Sequence, residues 1–329
     1  MRTILKRIGE REALLAFACV VSALFFSFLS PYFMEPDNLR TILRNSVELF
    51  LIGLGMTMLL GVGSIDVSVG VVLGLAAIAV GRLLQAGVHP VLVGLAGPLG
   101  GIALGLVTGS VVVLGRIPAI VATLGLFGVY RAAIFLLLGG SWLSGLPTGL
   151  TELVNVRVAG APLSIAFVAA AYLIAFIALR RTPFGPHLLA IGHSEPKARL
   201  SGISVERTQL AAFVGSGALC GLAASLYVAT YRNVEMTIGG TLALEAIAAV
   251  VLGGTSVVGG YISLLGTALG VLLLRILQNG LLLSGVPSLW QSVVTGLLLL
   301  FVLGLEAARR KLSVASFMSM RRKHRLAQE

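Results

Sequence analysis

Long apolar runs recur along this chain, separated by short polar or glycine-rich breaks. Ten such runs occur: Ala13 to Phe33, Leu49 to Gly63, Val67 to Val80, Val91 to Leu114, Ala119 to Leu138, Leu163 to Leu179, Leu210 to Val228, Leu242 to Leu252, Ile262 to Leu283 and Leu289 to Leu305. Several approach the roughly 20 residues that a helix needs to cross a bilayer, and none alternates as a barrel strand would. Hydrophobic residues make up 57% of the chain, which is more than a soluble domain of this size can bury. We therefore predict an all-α, polytopic membrane protein with about ten transmembrane helices.

The basic residues indicate how the chain is oriented. The net charge of +11 would fit a nucleic-acid partner, but Lys and Arg lie in loops rather than along one helix face, which argues against nucleic acid. With ten crossings, one side of the membrane carries the N-terminal segment, Arg116, the loop 180–207 and the C-terminal tail. The other side carries only Arg40, Arg44, Arg157 and Arg232. The positive-inside rule then places both termini and the loop 180–207 in the cytoplasm.

No linker or low-complexity tract divides the chain into separate units. We assign residues 1–305 to one transmembrane domain and residues 306–329 to a basic cytoplasmic tail. In the fourth run Gly97, Gly101, Gly105 and Gly109 recur every fourth residue, which predicts close packing of a second helix along that face.

A weak internal repeat is also visible. The sequence Ile117-Pro118-Ala119 opens the fifth run from the inside, and Val286-Pro287-Ser288 opens the tenth run from the outside. Opposite polarity is what an inverted-topology repeat predicts.

The loop 180–207 contains the signals of a very short helix. Ser194 is expected to accept a hydrogen bond at the helix start, Glu195 and Pro196 suit the first turn, and Gly202 suits a left-handed residue past the end. A helix of about seven residues is marginal alone in water, so it needs something to pack against. We interpret this loop as a docking surface for a partner protein.

The chain lacks the motif by which a transporter binds ATP. A phosphate-binding loop ends in a lysine that follows glycine, and none of the four lysines does: Lys6, Lys197, Lys311 and Lys323. Neither a nucleophile beside a base nor a set of metal ligands occurs, so we predict no catalytic residue, metal or cofactor. The energy must come from a separate ATPase or from an ion gradient.

Ionisable residues at membrane depth are candidates for a solute path. Glu48, Asp66, Arg131 and Glu245 lie within or beside apolar runs. For Asp66 the simplest interpretation is a helix N-cap at the cytoplasmic boundary. For Arg131 the alternatives are snorkelling or a salt bridge between helices, and a place along the path. We select Asp66, Arg131 and Glu245 as candidate path or gate residues.

Four stretches resemble the permease subunits of ATP-binding-cassette importers for monosaccharides, the ribose-type branch related to branched-chain amino-acid permeases. They are Ser64 to Gly70, Ile117 to Gly125, Phe184 to Ile203 and Glu245 to Gly254. The sequence departs from that family's usual pattern at Ser64, where glycine is commoner, and at Lys197, where alanine is commoner.

The resemblance carries expectations about partners and place. It implies a coupling helix that docks on a dimer of cytoplasmic ATPases, made of Ser194, Glu195, Pro196, Lys197, Ala198, Arg199, Leu200, Ser201 and Gly202. It also implies a second permease chain, identical or related, an extracytoplasmic solute-binding protein, and a site in the lipid of the bacterial cytoplasmic membrane. ATP hydrolysis would belong to the separate subunit, and the chain itself would not be an enzyme.

Several functions remain open from the sequence. The favoured one is import of a monosaccharide like ribose or rhamnose by alternating access. The segment from Tyr130 to Pro147 looks similar to permeases for rhamnose or for autoinducer-2, which keeps the latter as an alternative. Branched-chain amino acids are a third solute class. A gradient-driven carrier that relays protons through Asp66, Arg131 or Glu245 is the alternative from another class of transporter.

Overall fold

The computed structural model describes residues 2–158 and 161–287, together with positions 290, 293, 294, 296, 297, 300 and 304. The tail 306–329 and most of the tenth apolar run lie outside the described residues. Within the described part the chain forms thirteen helices and one pair of two-residue strands, so the all-α class is confirmed.

Nine of the helices coincide with predicted apolar runs. They are α1 (Arg2–Leu29), α3 (Val47–Gly61), α4 (Val69–Gln85), α5 (Pro90–Val113), α6 (Ala119–Leu138), α8 (Leu163–Arg181), α11 (Val205–Tyr231), α12 (Leu242–Leu252) and α13 (Leu264–Leu283). The other elements are α2 (Pro36–Arg44), α7 (Gly149–Asn155), β1 (Arg157–Val158), β2 (Ala161–Pro162), α9 (Phe184–His193) and α10 (Glu195–Leu200).

Six helices of the described part are long and apolar enough to cross a membrane alone: α1, α5, α6, α8, α11 and α13. Helices α2 and α3 together form a seventh candidate span with a bend of 40° between them. Helices α4 and α12 are apolar but shorter, and α12 has only 11 residues. A multi-pass membrane protein is therefore confirmed, although not every predicted crossing is a full-length helix.

Helix α3 lies at the centre of the bundle. Every residue from Leu49 to Gly61 except Phe50 is buried, and α3 packs on α8, α11, α12 and α13. The outer helices differ sharply: α6 leaves many large apolar side chains exposed, as a lipid-facing or subunit-facing helix does.

The glycine stripe predicted for close packing is confirmed. Gly97, Gly101 and Gly105 of α5 lie against the backbone of α11 around Gly217 and Gly221. A Cβ atom at Gly101 would collide with the carbonyl oxygen of Gly217, so only glycine allows the two backbones to approach this closely.

The two ends of the bundle are distinguished by the loops that they carry. We call the end that carries α9 and α10 the inner end and the opposite end the outer end. The loop 139–162, with α7 and the β1–β2 pair, connects α6 to α8 at the outer end.

Candidate functional site

The predicted short helix is confirmed at the inner end as α10, Glu195–Leu200. Pro196 lies in its first turn, and Gly202 adopts a left-handed conformation with φ of 79° just past its end. The predicted side-chain cap is wrong, because Ser194 is extended and its hydroxyl accepts no bond from the helix. Its carbonyl oxygen accepts from the N–H of Ala198 at 3.0 Å instead.

A trio of charged side chains braces α10 against α11. The guanidinium of Arg199 donates to Glu195 Oε1 at 2.9 Å and to Glu206 Oε1 at 2.6 Å. Glu206 lies in the first turn of α11, so its bond to Arg199 links the start of α11 to α10. Since all three side chains are about half exposed, the bracing fixes orientation more than it adds stability.

One face of α10 is anchored and the other is free. Ala198 is buried in an apolar cluster with Leu188, Ile191 and Phe213. Leu200 points away from this cluster and is 90% exposed. At the inner end the charged loops indicate water. An exposed leucine there is expected to become buried against the surface of a partner protein.

The end of α9 packs against two neighbouring loops. Gly192 touches the carbonyl oxygen of Gly61, at the end of α3, and the N–H of Gly260, in the loop after α12. Gly260 also donates from its N–H to Gly61 O at 3.0 Å. The ring of His193 covers Gly260 so closely that no side chain fits there. The α9–α10 unit is thus in direct backbone contact with the end of α3 and with the loop between α12 and α13.

Asp66 is not the helix cap that the sequence predicts. Helix α4 begins at Val69, and Ser68 occupies the N-cap position. Asp66 is only 4% exposed, and its Oδ1 accepts from the N–H of Ser68 at 2.8 Å and from its hydroxyl at 2.6 Å. Thr123 of α6 holds the same segment, since its hydroxyl accepts from Val67 N at 3.2 Å.

Arg131 lies on α6 and forms a polar contact inside the bundle. Its Nη1 donates to the carbonyl oxygen of Ile238 at 3.0 Å, in the non-helical segment between α11 and α12. Its guanidinium also stacks over the ring of Phe135, with 5.7 Å to the centroid. Neither snorkelling nor an interhelical salt bridge, the two structural alternatives for Arg131, describes this contact.

Glu245 belongs to a different polar cluster. One oxygen lies 3.2 Å from Nη1 of Arg275 on α13, and the other accepts from the hydroxyl of Thr241 at 2.9 Å. The buried Glu48 lies in the first turn of α3 and has an oxygen without a hydrogen-bond partner. Asp66, Arg131 and Glu245 therefore have three different sets of partners, and they do not form one shared site.

The sequence interpretation missed several residues that hold these sites in place. Asp66 is bonded to Ser68, Arg199 to Glu206 and Glu245 to Arg275, whereas Thr123 bonds to the backbone of Val67 beside Asp66. None of these partners stands out in the sequence, because their positions depend on tertiary packing. In the part of the chain that the structure describes, no three His, Cys, Asp or Glu side chains converge as metal ligands would.

Comparison with known proteins relates this architecture to import permeases. Residues 38–303 match the model of a family described as the permease component of the branched-chain amino acid transport system. The chain is 34% identical over 288 residues to the ribose import permease protein RbsC of Bacillus subtilis (strain 168), which covers 87% of this chain and 89% of the relative. It is 38% identical over 313 residues to the autoinducer 2 import system permease protein LsrC of Enterobacter sp. (strain 638), covering 94% and 90%.

Proposed function

This chain belongs to the family of branched-chain amino acid transport system permease components, and we propose that it carries a monosaccharide like ribose or rhamnose through the membrane. It is the membrane-spanning subunit of an ATP-binding-cassette importer, a multi-pass protein of the bacterial cytoplasmic membrane, and it is not itself the ATPase. Such permeases work with an ATPase and with a solute-binding protein. Two permease chains, each docked on one ATPase of a dimer, form the complete unit.

The single observation that supports this function best is the α10 surface. A six-residue helix presents an almost fully exposed leucine at the end of the bundle where the basic loops lie. A gradient-driven carrier that acts alone has no use for a rigidly seated, partly apolar helix in water. Residues Ser194 to Gly202 are thus assigned the role of the coupling helix that the ATPase grips.

The solute path is proposed on the α6 side of the bundle. Arg131 extends from α6 toward the segment that leads into α12, and Asp66 lies in the segment that leads into α4. Glu245, paired with Arg275, is assigned to the outer half of α12 as a gate support. In the alternating-access cycle, closure of the ATPase dimer tilts the coupling helices and these segments open in turn.

Two other solutes have specific support. Autoinducer-2 is supported by the LsrC permease of Enterobacter sp. (strain 638), to which the chain is 38% identical over 313 residues. Branched-chain amino acids are favoured by the description of the matching family. The permease alone carries little information on the solute, since the binding protein selects it before translocation.

Uptake in cells tests the proposal directly. The permease is expressed with its ATPase and binding protein, and radiolabelled ribose, rhamnose, autoinducer-2 and leucine are supplied side by side. Accumulation of one of the sugars, abolished by vanadate, is the expected result. Accumulation of leucine or autoinducer-2 would change the assigned solute, while the ATP-driven mechanism would stand. Solute uptake by membranes that contain this chain and no ATPase would overturn the mechanism itself.

A further inference from the structure

A non-helical segment connects α11 and α12 at residues 233–241. Helix α12 has 11 residues and so spans about 16 Å of a hydrocarbon core about 30 Å thick. Its C-terminal end lies near the inner end, because the loop that follows it contacts Gly192 and His193. Its first residue, Leu242, therefore lies roughly half-way across the membrane, and the segment 233–241 descends to it from the outer end.

This segment presents polar groups outward. Thr237, Gly240 and Thr241 are exposed, and the guanidinium of Arg131 borders the same stretch through its bond to Ile238 O. Non-helical backbone facing lipid costs several kcal/mol per unsatisfied group, so it occurs only where it is buried in protein or lines a water-filled cavity. Since these residues are not buried, the segment fits the wall of an aqueous path.

The segment has a counterpart earlier in the chain. Asn233-Val234-Glu235-Met236-Thr237-Ile238-Gly239 matches Ser64-Ile65-Asp66-Val67-Ser68-Val69-Gly70 with a conservative pair at every position. The same chain separation relates Pro287 to Pro118, the two prolines that open the tenth and fifth apolar runs. The match thus extends the inverted repeat that the prolines alone indicate.

The two matching segments also share local structure. In each, the carboxylate accepts a hydrogen bond from the hydroxyl two residues later: Ser68 to Asp66 at 2.6 Å, and Thr237 to Glu235 at 3.2 Å. Each segment leads into a short helix, and the two helices run in opposite directions. Helix α12 runs to the inner end, whereas α4 runs to the outer end, where its Gly81 contacts the loop 139–162.

The two segments contact each other at the glycine pair Gly70 and Gly239. Gly70 and Gly239 lie so close that a Cβ atom on either would overlap the carbonyl oxygen of the other. Gly239 has φ of 74°, which an L-residue with a side chain rarely adopts. Because backbone touches backbone with no side chain between them, one segment cannot shift at this point without displacing the other.

The equivalent positions differ in exposure. Ser64, Asp66 and Ser68 are 6%, 4% and 0% exposed, so the inner segment is closed. Thr237, the equivalent of Ser68, is exposed. One repeat unit is thus sealed while its inverted copy is open, which is the asymmetry that alternating access requires between its two half-channels.

We propose that segments 64–70 and 233–241 are the two alternating walls of the solute path, with the outer wall open in this structure. The exposed hydroxyls of Thr237 and Thr241 and the guanidinium of Arg131 offer donors and acceptors suited to a neutral, polyhydroxylated solute. This inference rests on the proposed import function and names the residues that the solute passes. In the opposite state, Ser68 opens to the inner side and Thr237 is buried.

Thiol labelling of two equivalent positions tests the proposal. Cys19 and Cys220 are replaced by Ser and Ala, and Ser68→Cys and Thr237→Cys are introduced singly into the complete importer in membrane vesicles. Ile174→Cys is the control, since Ile174 is an apolar residue of α8 with 67% exposure. A thiol in lipid stays protonated and unreactive, so a membrane-impermeant reagent should label the Thr237→Cys thiol from outside at least about tenfold faster than the control.

The nucleotide state should reverse the pattern. With ATP and vanadate or in another trapped state of the cycle, labelling at Thr237→Cys should fall while labelling at Ser68→Cys appears from the inner side. Protection of Thr237→Cys in every state, as a permanent subunit interface would give, overturns the proposal. So does labelling of both thiols together, or a Ser68→Cys thiol that no state exposes. These rates do not depend on solute identity, so failure of the sugar assignment in uptake assays is distinguishable.

Discussion

Replacement of Leu200 by alanine should weaken the grip of the ATPase on this permease. Leu200 is 90% exposed in the isolated chain, so nearly its whole side chain is available for burial in a partner. Complete burial of a leucine is worth about 1.5 to 3 kcal/mol relative to exposure. A loss of about 2 kcal/mol corresponds to about 30-fold weaker association at each docking site, since every 1.4 kcal/mol is tenfold.

The assay is the affinity of the purified permease in nanodiscs for its ATPase, measured beside solute-stimulated ATP hydrolysis. Leu173→Ala is the matched control, because Leu173 is a leucine of α8 with 59% exposure and no place on α10. The melting temperature of Leu200→Ala should equal that of the wild type, since the lost side chain contacts little within the chain. Unchanged ATPase affinity and transport in both Leu200→Ala and Leu200→Glu would refute the docking role of α10.

Further substitutions test the packing of Gly192 on Gly61 and the ion pairs of Arg199 that hold α10. Gly192→Ala should abolish coupling, because its Cβ would strike Gly61 O, whereas Gly128→Ala, with open space around it, should leave uptake and melting temperature unchanged. Replacing Arg199 or Gly202 by glutamate should abolish uptake with the protein still inserted in the membrane; normal ATPase co-purification and transport would contradict this. Glu206→Gln should weaken the bracing, so that at a fixed pH amide hydrogen exchange in α10 is faster than in the wild type; equal exchange in the two proteins would contradict this.

The positions of the helices were predictable from the sequence, whereas their surroundings were not. Each described apolar run became a helix, because a backbone in lipid must satisfy its own hydrogen bonds. Composition could not distinguish the central α3 from the outer α6, since lipid and protein interior both favour apolar side chains. Helix α3 is buried all round and α6 is largely exposed, yet both sequences are almost uniformly apolar.

The ends of α10 were predictable from the sequence, whereas the contacts of the candidate site residues were not. Pro196 and Gly202 fix the ends of α10 by local backbone geometry, which a sequence displays directly. The carboxylate of Asp66 is bonded to Ser68, and Thr123 of another helix holds the neighbouring Val67. From the sequence alone, a buried carboxylate at this place cannot be told from an N-cap. The segment 233–241 looked like an ordinary outer loop, because polar residues occur equally in loops and in the walls of aqueous paths.

A continuous chain of backbone contacts joins the docking helix to the segments that we assign to the solute path. Gly192, next to α10, rests on Gly61, and the segment 64–70 begins three residues beyond that contact. Its last residue, Gly70, touches Gly239 on the outer segment. Each junction is glycine against backbone, so no flexible side chain is present to absorb a displacement. A tilt of α10 can therefore either disrupt the packing at these junctions or move both segments. Because the junctions are closely packed, we expect movement of the segments 64–70 and 233–241 to cost less free energy.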